Sequence, residues 1–377
     1  MSRQKLLIQS LGIVVFFFMF ALWLFKSIGE LHSFEELLKA TNHLDVGWYQ
    51  FIATNGYSLN PEITDGQSTV FFPLFPALAA PLIHLAGVEP LMALNIVQKL
   101  FLLGLGPLIY KWAKGEGFHP KESLTVLLLH PALVFFMVPY TESLYVFCLF
   151  TLFLFWRQQN TAGLFFSALA LSLCRPTGLF LLPTVALTLV ISARQWLGPM
   201  RPSNLLMLQT YRALFVNTEF QKALRSCIAV GLGSLCALGC VALIMHVSVD
   251  DWFAFYRYRS LWKEEPGFRQ LISFVQLDFG SRFPRVLFTW LTLWGSWLLI
   301  KKQRTFEGVL CLFSILLPAY QGKMGDIIRY SLGAAPAWIA AHDRLKNHRT
   351  AQFALLAFSV AIGVVLMTHW LNRGWAG

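Results

Sequence analysis

The chain has 377 residues, 56% of them apolar and only 13% charged, with a net charge of +11. Soluble domains carry about 25% charged residues, roughly twice this density, so the composition argues against a soluble domain and for a chain embedded in lipid. The basic excess falls in short clusters between apolar runs, at Lys111/Lys114/Lys121, Arg157, Arg194 to Arg225, Lys301/Lys302/Arg304 and Arg344/Lys346/Arg349. That spacing is the positive-inside pattern of a multi-span membrane protein, and it explains the charge without a nucleic-acid partner.

The first apolar run, Leu6 to Phe25, follows the basic start Ser2-Arg3-Gln4-Lys5. At about 20 residues it exceeds the ~7–15 of a signal-peptide core, and Trp23-Leu24-Phe25-Lys26 offers no small-x-small cleavage site. It is expected to be an uncleaved first span (1–25) with a cytoplasmic N-terminus. Residues 26–88 then form the first outer loop.

Within that loop the stretch Asn42 to Ser58, NHLDVGWYQFIATNGYS, mixes polar and aromatic residues. The spacing predicts a helix with Asn42 as N-cap and Asp45 as its third residue. One face carries Asp45, Trp48, Tyr49 and Ile52, and Gly56 supplies a left-handed cap after Asn55. On spacing alone, Asp45 needs no role beyond favouring the positive helix end. Phe72–Gly87 is apolar but interrupted by Pro73, Pro76 and Pro81, so it is expected to lie along the outer interface, and Leu91–Tyr110 to span.

Basic loops at 111–122, 157–160, 194–225, 301–305 and 342–349 are then inside. Pro139-Tyr140-Thr141-Glu142, Arg175-Pro176-Thr177, 248–285 and 321–330 are outside. The expected fold is all-α, one integral membrane domain over 1–377 with about 11 transmembrane helices (range about 10–12) and interfacial helices in the first outer loop. The six cysteines lie in or beside apolar runs and imply no disulfide framework. Within-span charges are few, Lys99 being the notable one. Most of the acids, among them Glu30, Glu35, Glu36, Asp45, Glu62, Asp65, Glu142 and Asp326, fall on the outer side, which puts any polar site there. Arg175 and Arg329, taken singly, can be interfacial side chains that reach for water.

Together these segments resemble a family. Asp45-x-x-Trp48-Tyr49-x-x-Ile52-Ala53-x-x-Gly56-Tyr57 followed by Phe71-Phe72-Pro73-Leu74-Phe75-Pro76 resembles the PIG-V mannosyltransferases, which add the second mannose of the GPI anchor and have bacterial relatives. The likeness continues through His130-Pro131-Ala132 and Phe135-Phe136 to Pro139-Tyr140-Thr141-Glu142-Ser143-Leu144-Tyr145, then Cys174-Arg175-Pro176-Thr177-Gly178-Leu179, and more loosely Asp326-x-x-Arg329-Tyr330. The family usually has Trp before the acid, where this chain has Leu44.

The resemblance implies a GT-C glycosyltransferase with an extracytoplasmic active site, in a bacterial inner membrane. The donor would be a polyprenyl- or dolichyl-phosphate sugar, with mannose expected, and the acceptor a hydroxyl of a glycan or glycolipid. Asp45 would be the general base, since a hydroxyl acceptor is a weak nucleophile. Arg175 and Arg329, with Lys323 behind them, would meet the departing phosphate. Glu142 would orient the acceptor or hold the site, with Trp48, Tyr49, Tyr57, Phe72 and Tyr140 as further substrate contacts. The scheme requires no metal or other cofactor. Eukaryotic relatives require a small membrane partner subunit, which the resemblance therefore allows for here. Two other classes fit a multi-span chain: a lipid-linked glycan polymerase or ligase centred on 248–285, and a transporter or flippase of lipid-linked sugars.

Overall fold

The computed structural model describes residues 3–59, 67–197, 216–258, 267–268, 272, 283–322 and 326–372, and they are helical with no strand among them. Lys323 and much of the 194–225 and 248–285 loops lie outside the described residues. The helices in chain order are α1 Arg3–Ile28, α2 Phe34–Ala40, α3 Asp45–Asn55, α4 Leu74–His84, α5 Pro90–Gly115, α6 Pro120–Leu128, α7 Glu142–Gln158 and α8 Thr161–Cys174. They continue as α9 Leu181–Leu197, α10 Thr218–Val249, α11 Ala254–Arg257, α12 Phe283–Lys301, α13 Thr305–Tyr320, α14 Ile327–Tyr330, α15 Ala335–Arg344 and α16 Arg349–Leu371. Among the described residues, six helices are long and apolar enough to cross a membrane: Leu7–Ile28, Pro90–Gly115, Pro176–Arg194, Thr218–Val249, Phe283–Lys301 and Arg349–Leu371. By contrast α4, with 11 residues, spans about 16 Å, well short of a ~30 Å hydrocarbon core.

Small residues set the closest helix approaches, as in membrane bundles generally. Gly295 on α12 faces the Ala337 carbonyl of α15, where a Cβ would collide with backbone. Gly239 on α10 has nothing within 4 Å of its Cβ direction. The two positions therefore predict opposite signs. Gly295→Ala should destabilise by about 1–3 kcal/mol through overpacking. Gly239→Ala should be neutral or stabilising by up to about 1 kcal/mol, the helix-propensity gain. Thermal unfolding of the detergent-solubilised protein checks both, and equal behaviour would contradict the packing.

The end of the bundle where α5 and α7 finish and α13 begins is locked by charge. Glu116 accepts from Arg304 at 2.8 Å and faces Arg157 at 3.8 Å, while Trp112 donates to Glu307 at 3.2 Å. Lys302 pairs with Asp343 at 3.2 Å, and Trp156 stacks on Phe306 with centroids 3.9 Å apart. The opposite end, where α5 and α7 begin and α8 and α13 finish, is built differently. There 3-10 turns stand between the α-helices, at Leu133–Phe136, Pro176–Phe180 and Ser331–Ala334. Pro131, Pro176 and Pro336 stand at or beside these breaks, where a missing N–H and a fixed φ favour them.

Candidate functional site

Irregular backbone inside a bundle must find internal partners for its polar groups. The 133–138 turn finds them on α5. Gln98, fully buried, donates from Nε2 to the Phe136 carbonyl at 2.8 Å and to Ser143 Oγ at 2.7 Å. Lys99 Nζ donates to Gln98 Oε1 at 2.5 Å and to the Met137 carbonyl at 2.7 Å. One step back, His130 Nδ1 accepts from the Ala132 N–H at 3.1 Å, which leaves the proton on Nε2, 3.2 Å from Ser331 Oγ. The Ser331 hydroxyl passes its own hydrogen to the Ile328 carbonyl at 2.6 Å. These two networks fix the turn before Tyr140 and Glu142 against the turn after Arg329.

Gln98→Leu should therefore cost about 1–3 kcal/mol, because it strands the Phe136 carbonyl and removes an acceptor from Lys99. A thermal-unfolding midpoint equal to that of the unaltered protein would contradict the role assigned to the network.

The turn so held brings four charged side chains together. Glu142 Oε1, at the start of α7, accepts from Arg175 Nη1 at 2.5 Å and from Arg329 Nε. Arg329 Nη1 donates to Asp45 Oδ2 at 3.0 Å. The Arg329 guanidinium lies over the rings of Tyr140 and Phe135, 4.5 and 5.1 Å from their centroids. That of Arg175 lies over Tyr330 and Tyr145 at 5.5 and 5.7 Å. Burial alone would weaken the Arg329 charge, but Glu142 and Asp45 outweigh it and hold the guanidinium above its ordinary pKa. Two acids and two arginines leave the cluster formally neutral.

The two carboxylates are not equivalent. The Glu142 side chain is 1% exposed and that of Asp45 is 12% exposed. Glu142 bridges both arginines and is sealed. Asp45 spends only Oδ2 on Arg329, and its Oδ1 has no hydrogen-bond partner among the described residues. Asp45 is therefore the less enclosed of the two acids.

The start of α3 differs from expectation. The helix begins at Asp45, and its N-cap is Leu44 with φ 55° and no side-chain cap bond. Asn42 does not cap; it accepts from Gln50 Nε2 at 2.7 Å. The Asp45 N–H goes instead to the Tyr140 hydroxyl at 3.1 Å, a partner 95 residues away, so tertiary structure rather than a local cap satisfies this helix start. At the other end Gly56 takes a positive φ of 80°, but with ψ −162° it is extended rather than the left-handed helical cap expected; its N–H reaches the Ile52 carbonyl at 2.9 Å.

The remaining expected residues divide. Tyr49 is buried among Phe71, Phe75 and Tyr140 at centroid distances of 5.4, 5.3 and 6.1 Å. Burial first, then the Asp45 charge, push the Tyr49 hydroxyl well above its usual pKa, so it keeps its proton. Burial and Asp45 do the same to Tyr140. Trp48 stacks on Phe71 at 6.0 Å, and Tyr57 supports that segment by donating to the Phe71 carbonyl at 2.8 Å. Phe72 is not brought to the cluster; it packs with Val241, Met245 and Ala254, and edge-on to Phe255 at 6.1 Å. Sequence reasoning did not assign Tyr145, Tyr330, Thr177 or Ser314 to the site. With Glu142, Arg175 and Arg329 they line a cavity of about 10 Å³, room for about one water.

Among the described residues no three His, Cys, Asp or Glu side chains gather into a metal-binding group. No protein-family model matches the chain, and no curated protein matches it.

Proposed function

We propose that the protein is a GT-C-type membrane glycosyltransferase resembling the PIG-V mannosyltransferases. It transfers a sugar, with mannose the first to test, from a polyprenyl-phosphate donor to a hydroxyl acceptor, with inversion at C1. The observation that carries this reading is a buried cluster at the broken-helix end of the bundle, in which Asp45, the less enclosed carboxylate, pairs with Arg329 and Glu142 bridges Arg329 and Arg175. A carboxylate takes a proton from a hydroxyl nucleophile, and guanidinium groups meet a phosphate leaving group. Both tools are within one hydrogen-bonded cluster.

In this scheme Asp45 Oδ1 takes the acceptor proton, Arg329 and Arg175 face the phosphate, and Glu142 keeps the arginines apart and aimed. Trp48, half-buried and stacked on Phe71, is the aromatic side chain suited to a sugar ring, with Tyr49 and Tyr140 buried in support. The chain makes about 11 passages between the two ends, with α2 to α4 lying along the outer interface. Arg157, Lys302, Arg304 and Arg349 all engage acids at the end opposite Asp45, which favours a cytoplasmic location for that end and an extracytoplasmic site. A bacterial inner membrane is the proposed location.

The test is transfer by the purified protein in liposomes, supplied with polyprenyl-phosphate mannose, glucose or arabinose and a panel of glycan and glycolipid acceptors. Product from one donor, with inverted anomeric configuration, is the expected result. A folded protein that transfers from none of them, while moving lipid-linked sugars between leaflets, would establish the transporter class instead.

A further inference from the structure

The Arg329 guanidinium serves two masters: Nε donates to Glu142 and Nη1 to Asp45. The cavity beside the arginines holds about one water, far too little for a phosphate group. A phosphate at Arg329 therefore needs a neighbouring group to move, and a carboxylate paired with the guanidinium is the group it would replace charge for charge. Glu142 is the poor candidate to yield, because it bridges both arginines and its side chain is 1% exposed. Asp45 is held at one oxygen, by one guanidinium nitrogen, and its side chain is the less buried of the two carboxylates.

We propose that Asp45 occupies the phosphate subsite of the ligand-free protein, and that the donor's phosphate displaces it from Arg329 Nη1. The inference rests on the donor reading above and deepens it. Until a lipid phosphate arrives, Asp45 is tied up as a counter-ion; once displaced, it carries a full negative charge with both oxygens available to a hydroxyl. The site is thereby ordered, donor first and acceptor second, and the base is freed only when there is a sugar to transfer.

The chemical step balances. The acceptor oxygen forms a bond to C1 as the C1–O bond to phosphate breaks and its electron pair passes to the phosphate oxygen. The acceptor proton passes to Asp45. One negative charge thus moves from Asp45 to the phosphate, which Arg329 and Arg175 face, and the total charge of the site is unchanged. Re-forming the Asp45–Arg329 pair after Asp45 loses its proton then competes with the product phosphate and helps to expel it.

The sign of one substitution separates this arrangement from others. If Asp45 competes with phosphate for Arg329, neutralising it strengthens phosphate binding. Full-length protein in nanodiscs would be titrated with undecaprenyl phosphate and with undecaprenol, for the unaltered chain, Asp45→Asn and Asp45→Ser. The expected result is about tenfold tighter binding of the phosphate by both variants, the scale of one neighbouring charge, with undecaprenol binding unchanged. The backbone tie from residue 45 to Tyr140 survives both substitutions, so each keeps the helix start. Equal or weaker phosphate binding by the variants overturns the exchange and leaves the donor reading intact. Unaltered protein that binds the phosphate no better than the alcohol overturns the donor reading itself, and the exchange with it.

Discussion

Asp45→Asn should lower the rate of sugar transfer by about 10²–10⁴-fold, the range for loss of a positioned general base, while the protein remains folded. Asparagine keeps the shape of the side chain and can still offer an oxygen to Arg329, but it cannot take the acceptor's proton. The helix start is held by the backbone N–H of residue 45 on Tyr140, which does not depend on the carboxylate. The loss should therefore appear in kcat, with the KM for the lipid donor lower, because a competitor for Arg329 has been neutralised. Asp45→Glu retains the base on a longer arm and should recover only part of the rate, since misplacement by about 1 Å costs on the order of 10²-fold. Single-turnover transfer with radiolabelled donor checks these outcomes. Asp45→Asn protein with undiminished transfer would remove Asp45 from the chemistry and leave it as a structural counter-ion.

The architecture was legible in the sequence to the extent that it rests on local pattern. Long apolar runs produced the long helices, the proline-interrupted stretch produced the short α4, and Gly56 produced a positive-φ stop for α3. Residue types at the site were legible as well, because acids and arginines beside apolar runs stand out from their neighbours. Their pairing was not. Glu142 meets Arg175 across 33 residues and Arg329 across 187, and no periodicity encodes such distances. The same cause explains the misassigned cap: Asn42 suits a helix start by type, but a hydroxyl from Tyr140 had already satisfied the N–H it would have taken. Phe72 shares a motif with Phe71 and yet faces away from the site, because adjacent residues in an extended segment point to opposite sides. Lys99 was visible as a charge in an apolar run. Its task, holding the Met137 carbonyl of a broken helix, became visible only with the break.

Glu142→Gln should be the most destabilising single substitution in the cluster, at about 3–5 kcal/mol, the cost of removing one partner from a buried ion pair. Glu142 Oε1 is the shared acceptor of both arginines, and with Glu142 neutral only Asp45 remains to balance two buried guanidinium groups. Two observations would separate this electrostatic cause from a packing defect. Arg175→Met in the same chain returns the cluster to neutrality, so Glu142→Gln with Arg175→Met should unfold at a higher temperature than Glu142→Gln alone, a non-additive cycle. Undecaprenyl phosphate should also stabilise the Glu142→Gln protein more than it stabilises the unaltered one, because the variant lacks the anion that the lipid supplies. If the two substitutions instead add, and the lipid phosphate raises both unfolding temperatures equally, the arginines do not depend on Glu142 for compensation. The close Arg–Glu–Arg arrangement would then contribute shape rather than charge balance, and the positioning of Arg329 would have to come from the rings of Tyr140 and Phe135 beneath it.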